Sequence, residues 1–220
     1  MSERRVVEIR ERVLSKNDQI AAGVRAALAA KGVTALNFTS SPGSGKTTLL
    51  VRTISDLKGR AEISVLEGDQ ETDHDARRIA ATGAPVLQIN TISSCHLDAA
   101  MVEGGLRGLW LSPGGFLFIE NVGNLVCPAS YDLGEAMKVV MLSVTEGADK
   151  PAKYPKMFRV ADAMVITKTD LLPHVEFDVD ECVRFARAVN PKLAVFQVSA
   201  KTGEGLDEWY GYLLSLRDRA

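Results

Sequence analysis

At 220 residues the chain has the size of one compact domain, long enough to bury a core without disulfide or metal staples. Its 26 Lys and Arg against 28 Asp and Glu give a formal charge of −2 with no basic stripe, which argues against nucleic acid as a partner. Its 3 cysteines make no disulfide framework, no apolar run reaches the ~18 residues needed to span a bilayer and no signal peptide is evident, so a reduced, cytoplasmic protein away from the membrane is expected.

The first stretch, to about Ala30, reads as helical: Val6, Ile9 and Val13, then Ile20, Val24, Ala27 and Leu28, recur at helical spacing. Ser15 or Asn17 can cap a second helix within it, and Gly32 ends it. Strands and helices then alternate. Residues 34–39 read as a strand, followed by a Gly-rich loop and a helix through Leu57. Next come a strand over 61–66, a helix over 72–82, a strand over 85–92 and a helix over 97–109. Strands over 116–120, 163–167 and 193–198 follow, with helices over 178–189 and 206–217. This alternation predicts an α/β fold of three layers, a mostly parallel sheet with helices on both faces. Residues 1–220 are read as a single domain, with the helical segment 1–32 packed on it. Ligands of such sheets bind at the carboxyl ends of the strands.

Ser40-Ser41-Pro42-Gly43-Ser44-Gly45-Lys46-Thr47-Thr48 closes the first strand and opens a helix. Apart from Ser40, where Gly is usual, it matches the phosphate-binding loop pattern, so the fold is expected to be that of the P-loop NTPases. Gly43 and Gly45 permit backbone geometries that aim several N–H groups at one anion, and the helix N-terminus adds positive potential. Lys46 would neutralise the β- and γ-phosphates, and Thr47 would offer its hydroxyl to Mg²⁺.

Thr167-Lys168-Thr169-Asp170 ends a later strand and resembles the Asn-Lys-x-Asp guanine motif of GTPases. The resemblance implies that Asp170 accepts hydrogen bonds from the guanine N1–H and 2-amino group, while Lys168 lies over the base. Adenine lacks that donor pair and would leave the carboxylate unpaired. Thr167 replaces the Asn that ties the base loop to the phosphate loop, so lowered nucleotide affinity is expected. Ser199-Ala200-Lys201 resembles the second guanine-contacting loop. Glu120-Asn121-Val122-Gly123 stands where GTPases carry Asp-x-x-Gly. By resemblance Glu120 holds Mg²⁺ through water and the Gly123 N–H senses the γ-phosphate. Asn124, not Gln, follows Gly123, so hydrolysis should be slow. Glu67-Gly68-Asp69 and the polar stretch 70–75 resemble a first switch, with Asp69 positioning the attacking water or a magnesium-bound water and Asp75 a weaker candidate. A plain loop with Thr72 or Asp73 as helix cap is the alternative.

Cys95-His96 and Cys127 both follow carboxyl ends of strands, and thiolates with an imidazole suit Zn²⁺ or Ni²⁺. Three donors leave a coordination position open, as a loading protein needs. Taken alone, a buried Cys or a surface His is as good a reading. The runs Cys95-His-Leu-Asp-Ala and Glu120-Asn-Val-Gly-Asn-Leu-Val-Cys-Pro, with Asn37 through Leu50, Glu67-Gly-Asp and Asp149-Lys-Pro-Ala-Lys-Tyr-Pro, resemble the HypB-type hydrogenase nickel-incorporation GTPases. The likeness runs from about Asn17 to Leu214. It implies a GTP-hydrolysing metallochaperone binding GTP or GDP, Mg²⁺, and Ni²⁺ or Zn²⁺ at Cys95, His96 and Cys127. It also implies a nucleotide- or metal-dependent homodimer, a hydrogenase large-subunit precursor as client and a nickel accessory protein as partner. Urease-type GTPases carry Cys-Pro-His instead, and chaperones of cobalamin-dependent mutases need no such donor set; both remain alternatives, as does a nucleotide-binding module without turnover. Ile92-Ser93-Ser94 stands where the family has glycines, which predicts a stiffer loop. The beginning Met-Ser-Glu-Arg-Arg-Val shows no Cys- or His-rich tract, so nickel storage is not expected. His74 is a possible auxiliary ligand, His174 is expected at the surface and Cys182 in the core; residues 149–156 read as a solvated loop, with Lys153 reaching a nucleotide or the partner subunit as the sharper alternative.

Overall fold

The computed structural model describes residues 2–69, 73–91 and 94–217, with side chains from Glu11 onward. Gln70, Glu71 and Thr72 of the first-switch stretch, and Ile92 and Ser93 before the Cys-His pair, lie outside the described residues, as do the side chains of Val6 and Ile9.

The elements in chain order are α1 (Ser2–Ala29), β1 (Thr34–Ser40), α2 (Lys46–Asp56), β2 (Ile63–Asp69), α3 (His74–Ala80), β3 (Val86–Asn90), α4 (Ala99–Leu106), β4 (Phe116–Glu120) and β5 (Met137–Ser143). Then come α5 (Lys150–Lys153), α6 (Pro155–Val160), β6 (Ala163–Thr167), α7 (Val179–Val189), β7 (Ala194–Gln197) and α8 (Leu206–Arg217). Short 3₁₀ turns span Cys127–Ser130 and Thr169–His174. The sheet order is β3-β2-β4-β1-β5-β6-β7, and every pairing is parallel. Strand β5, unexpected from the sequence, completes the centre between β1 and β6.

Side chains alternate along each strand and so build a core on each face. On one face Leu36, Phe38, Val65, Phe118, Val139 and Val165 pack with α2 and α8, where Leu49, Leu50, Trp209 and Leu213 are buried. The other face carries two clusters. Ala35, Leu66, Leu117 and Ile119 meet Val24 and Leu28 of α1 and Val102 of α4. Val140, Leu142, Met164 and Ile166 meet Met157 and Phe158 of α6 and Cys182 and Ala186 of α7. The three-layer α/β arrangement expected from the sequence is therefore present.

The second helix expected inside the N-terminal segment is not: α1 runs unbroken from Ser2 to Ala29. No Gly or Pro interrupts it before Gly23, and the candidate cap Asn17 points its side chain away to tertiary partners. Its Nδ2 donates to the Asp132 carbonyl at 2.8 Å, and its Oδ1 accepts from the Ala99 N–H at 2.9 Å. Val13, expected on the apolar stripe, is 50% exposed. Segment 149–156 is not a loop either but contains α5 and most of the first turn of α6, with Pro151 and Pro155 in the first turns, where their missing N–H groups go unneeded.

Candidate functional site

Strand β1 runs straight into the phosphate loop. Gly43 and Gly45 take positive φ (75° and 89°), which turns the chain so that α2 begins at Lys46. Lys46 Nζ donates to Ser40 Oγ at 2.9 Å, so the residue that replaces the usual first Gly anchors the lysine. Burial lowers the Lys46 pKa, opposed by Glu120, Asp75, Glu67 and Asp69. Thr47 Oγ1 donates to Glu120 Oε1 at 2.7 Å. Glu67 stands opposite Glu120 in the β2–β4 register, and both are 3% exposed. Each has one carboxylate oxygen, Oε2, buried without a hydrogen bond among the described residues. Burial, with Glu120 and then Asp69 nearby, pushes the Glu67 carboxyl up to about 8. Burial likewise raises Glu120 to about 7, against the pull of Lys46 and the Thr47 hydroxyl. A hydroxyl and two under-satisfied carboxylates are hard oxygen donors and fit Mg²⁺. The sequence had pointed to Asp69 and not to Glu67. Asp69 ends β2 half-buried, its carbonyl accepting from Thr91 N at 2.9 Å. Asp75 pairs with Arg78 at 3.1 Å, and Arg78, unforeseen, also reaches Thr48 Oγ1 at 2.9 Å.

On the other flank Thr167 closes β6. Its hydroxyl donates to the Ser44 carbonyl at 2.6 Å. The tie between base loop and phosphate loop, expected to be weakened by the loss of Asn, is thus made by a hydroxyl. Lys168 is the one non-glycine residue at positive φ (59°) among those described, and its Nζ donates to the Gly43 carbonyl at 2.7 Å. Ser199 Oγ donates to Asp170 Oδ1 at 2.7 Å and accepts from Thr202 N at 3.1 Å, which fixes the carboxylate against the loop Ser199-Ala200-Lys201. Arg52 of α2 holds that loop through the Ala200 carbonyl at 3.0 Å. Lys150, not Lys153, reaches the phosphate loop: its Nζ donates to Ser41 Oγ at 3.0 Å and pairs with Glu146 at 3.2 Å. Lys153 instead pairs with Asp149 at 2.7 Å on the surface. Glu146 also accepts from Ser44 Oγ at 2.9 Å.

Gly123 lies against the phosphate loop so closely that a Cβ there would stand 3.0 Å from Pro42 Cα. Four residues on, the chain delivers Cys127. Ligand atoms of Cys95, His96 and Cys127 all lie within 4.8 Å of one another, and the two sulfurs are 3.0 Å apart. All three side chains are half-buried. The shared hydrogen bond with Cys127, then burial, raises the Cys95 pKa, and burial lowers that of His96. Both shifts describe the metal-free donors; a cation would reverse the thiol preference outright. Asn124 is turned toward this cluster: its Nδ2 donates to the Cys95 carbonyl at 3.2 Å and its Oδ1 accepts from Val126 N at 2.8 Å. Tyr131, which the sequence did not single out, sets its ring 4.0 Å from that of His96. Ser94 Oγ donates to the His96 carbonyl at 2.9 Å. His74 and His174 are exposed and outside this cluster. Cys182 is fully buried among apolar side chains, which push its thiol up to about 12.

Residues 34–197 match the family model "CobW/HypB/UreG, nucleotide-binding domain". The hydrogenase maturation factor HypB of Rhizobium leguminosarum is 58% identical over 213 residues, covering 97% of this chain and 71% of that protein. The hydrogenase/urease maturation factor HypB of Helicobacter pylori strain 26695 is 44% identical, covering 94% and 87%. A crystal structure of Helicobacter pylori HypB in complex with nickel superposes with a TM-score of 0.87 at 41% identity, covering 93% of this chain and 96% of that one. By the family model over 34–197 and relatives more than half identical across nearly its whole length, this chain belongs to the HypB hydrogenase maturation factors of the CobW/HypB/UreG nucleotide-binding family.

Proposed function

We propose that the protein is a GTP-hydrolysing nickel chaperone of hydrogenase maturation, in which the state of the nucleotide sets the hold on the metal. The observation that carries this reading is the convergence of Cys95, His96 and Cys127 within 4.8 Å, immediately beyond the segment that touches the phosphate loop. Nickel is the cargo here. Two thiolates and an imidazole bind Ni²⁺ or Zn²⁺ and leave a further coordination position for the client or a second copy of the chain. The chain acts as one nucleotide-binding unit with α1 packed on it.

At the other end of the segment, Lys46 and the loop N–H groups of Gly43, Ser44, Gly45, Thr47 and Thr48 take the β- and γ-phosphates. Asp170, held by Ser199, reads the guanine N1–H and 2-amino group, Lys168 covers the base, and the Ala200–Lys201 backbone takes O6. Mg²⁺, when bound, supplies positive charge on the β/γ oxygens, and Thr47, Glu120 and Asp69, with Glu67 beside them, are the residues that would hold it or its waters. Asp69 orients water toward the γ-phosphate, whose bond to the β-phosphate oxygen breaks to give GDP and phosphate. Turnover is slow, because Asn124 follows Gly123 where a water-orienting Gln would stand, and its side chain is committed to the cysteine loops. The setting proposed for this activity is the cytoplasm. The client is a hydrogenase large-subunit precursor, met as a homodimer together with a nickel accessory protein.

The test is titration of Ni²⁺ by chelator competition, with GDP and with a non-hydrolysable GTP analogue, while light scattering follows mass. Coupled sites alter each other's affinity by ~5–150-fold. A difference of that order, lost in Cys127→Ala, is expected; Cys95→Ala should weaken nickel in both states. Equal nickel affinity with either nucleotide would sink the switch. The Helicobacter relative carries urease as well as hydrogenase in its name, so apo-urease belongs beside apo-hydrogenase as an acceptor in transfer assays.

A further inference from the structure

Between β1, β4 and β5, four buried polar side chains form one chain of hydrogen bonds. Asn121, next to Glu120, accepts at Oδ1 from two backbone donors, Val122 N at 3.0 Å and Leu97 N at 3.1 Å. Its Nδ2 donates to Asn37 Oδ1 at 3.2 Å, and Asn37 Nδ2 donates to Glu135 Oε1 at 3.1 Å. Lys138 Nζ pairs with the same Glu135 oxygen at 3.3 Å and donates to the carbonyls of Pro128 at 3.1 Å and Tyr131 at 2.9 Å. Relative exposures are 0% for Asn37, 1% for Asn121, 9% for Glu135 and 7% for Lys138.

The ends of this chain are what matter. One end is the N–H of Leu97, the neighbour of His96. The other is the carbonyl of Pro128, the neighbour of Cys127, together with Tyr131, whose ring lies on His96. The middle is Asn37 on β1, the strand that becomes the phosphate loop, and Asn121, which leads to Gly123. Buried polar groups of this kind are satisfied by one another, so displacing one either drags its partners or orphans a donor at a substantial penalty. Val122 N and Leu97 N share a single acceptor oxygen, so a pull on the segment before Gly123 is felt at the Cys-His loop directly.

We infer that Asn121, Asn37, Glu135 and Lys138 are positioning residues that transmit the nucleotide state to both halves of the metal site. This rests on the reading of Cys95, His96 and Cys127 as the nickel site. Lys138→Met breaks the link to Pro128 and Tyr131 and leaves both sites' own ligands intact. Asn37→Ser breaks the relay at its centre and leaves the Lys138–Glu135 pair in place.

The experiment measures Ni²⁺ affinity with GDP and with the GTP analogue for the parent and both variants, alongside nucleotide affinity and thermal melting. The expected result is GDP-state nickel affinity and nucleotide affinity within about threefold of the parent, while the parent's ~5–150-fold ratio between nucleotide states falls to near one. Loss of stability alone would not produce that pattern. A parent that shows the ratio and folded variants that keep it would overturn the relay and leave the nickel switch standing. A parent without any ratio would overturn both. Should one variant fail to fold, the other carries the comparison, because each cuts the chain at a different bond.

Discussion

The hydroxyl of Thr167 is the buried side-chain tie between the end of β6 and the floor of the phosphate loop, at 2.6 Å from the Ser44 carbonyl, beside the exposed contact of Lys168 with the Gly43 carbonyl. Thr167→Val keeps the shape and β-branching and removes only the donor. Because Thr167 is 4% exposed, water does not readily replace the lost bond. Orphaning a buried acceptor costs ~1–3 kcal/mol. The tie already exists without nucleotide, so part of that cost falls on folding and the rest on binding. At ~1.4 kcal/mol per tenfold, the binding share is bounded near 100-fold, and a loss of roughly 5–30-fold is expected. It should be the same for GDP and GTP, because the tie touches the loop and not the γ-phosphate. Thr167→Ser restores the donor at the expense of one methyl, ~0.8 kcal/mol of burial, and should recover most of the affinity. Fluorescent-nucleotide displacement with both nucleotides, paired with thermal melting, measures both shares. Parental affinity and parental melting in Thr167→Val, or a loss confined to GTP, would refute the idea that this hydroxyl does the work of the missing Asn.

Three further outcomes follow from the same geometry. Asp170→Asn should erode the preference for GTP over ATP and admit xanthine nucleotides; comparable ATP and GTP affinities in the parent by calorimetry would end the guanine assignment. Lys46→Ala should abolish phosphate release, whereas Asp69→Ala should slow it at least tenfold with GDP affinity nearly unchanged, and parental turnover in Asp69→Ala would mean the first switch lies elsewhere. Glu67 holds its proton to about pH 8 in the fold against an ordinary value of 4.5. A raised pKa contributes stability that is complete below the ordinary value and is lost as pH rises through the folded one. Without nucleotide and Mg²⁺, the melting temperature should therefore fall between about pH 5 and pH 8, and Glu67→Gln should flatten that slope; Glu120, raised in the same direction, leaves a residual slope, and an unchanged profile in Glu67→Gln would contradict the assignment.

Much of this site was legible because its chemistry depends on residue types at fixed spacing. A Gly-rich loop between strand and helix has few other uses, and Cys95, His96 and Cys127 fall at strand ends by topology alone. What was hidden has a common cause: a side chain acting at long range against its local reading. Lys138 interrupts the apolar run of β5, which is why that strand was missed, yet the lysine is buried against Glu135 and two carbonyls. Val139 to Leu142, four buried apolar residues, were the available signal. Asn17 reads as a helix cap and instead bridges Ala99 and Asp132 across the fold. Thr167 reads as a defect in a guanine-type motif, yet its hydroxyl reaches the Ser44 carbonyl at 2.6 Å. Glu67 looks subordinate to Asp69, but strand register sets it beside Glu120, and register is not visible in a single sequence.

The eight residues 120–127 explain why nucleotide and nickel would be hard to separate in this protein. Among them, residues that touch the phosphate loop are interleaved with residues that touch the Cys-His loop. Glu120 accepts from Thr47, and Gly123 rests on Pro42, both on the phosphate side. Asn121 holds Leu97, Asn124 holds the Cys95 carbonyl and Cys127 meets Cys95, all on the metal side. Leu125, 5% exposed, is packed in the apolar cluster of α6 and α7 and pins the middle. With Leu125 pinned, drawing Gly123 toward a γ-phosphate rotates the short arm beyond it, and that arm ends at a metal donor. Asn124 would have to break with Cys95 or carry Cys95 along. In the first case Cys95 and Cys127 would be drawn out of register, and in the second the Cys-His loop would move as a whole; if these residues are the nickel site, a bound cation would resist the first with the strength of its own coordination bonds. On the proposed reading that resistance would be the coupling, and linkage would make it act equally in both directions.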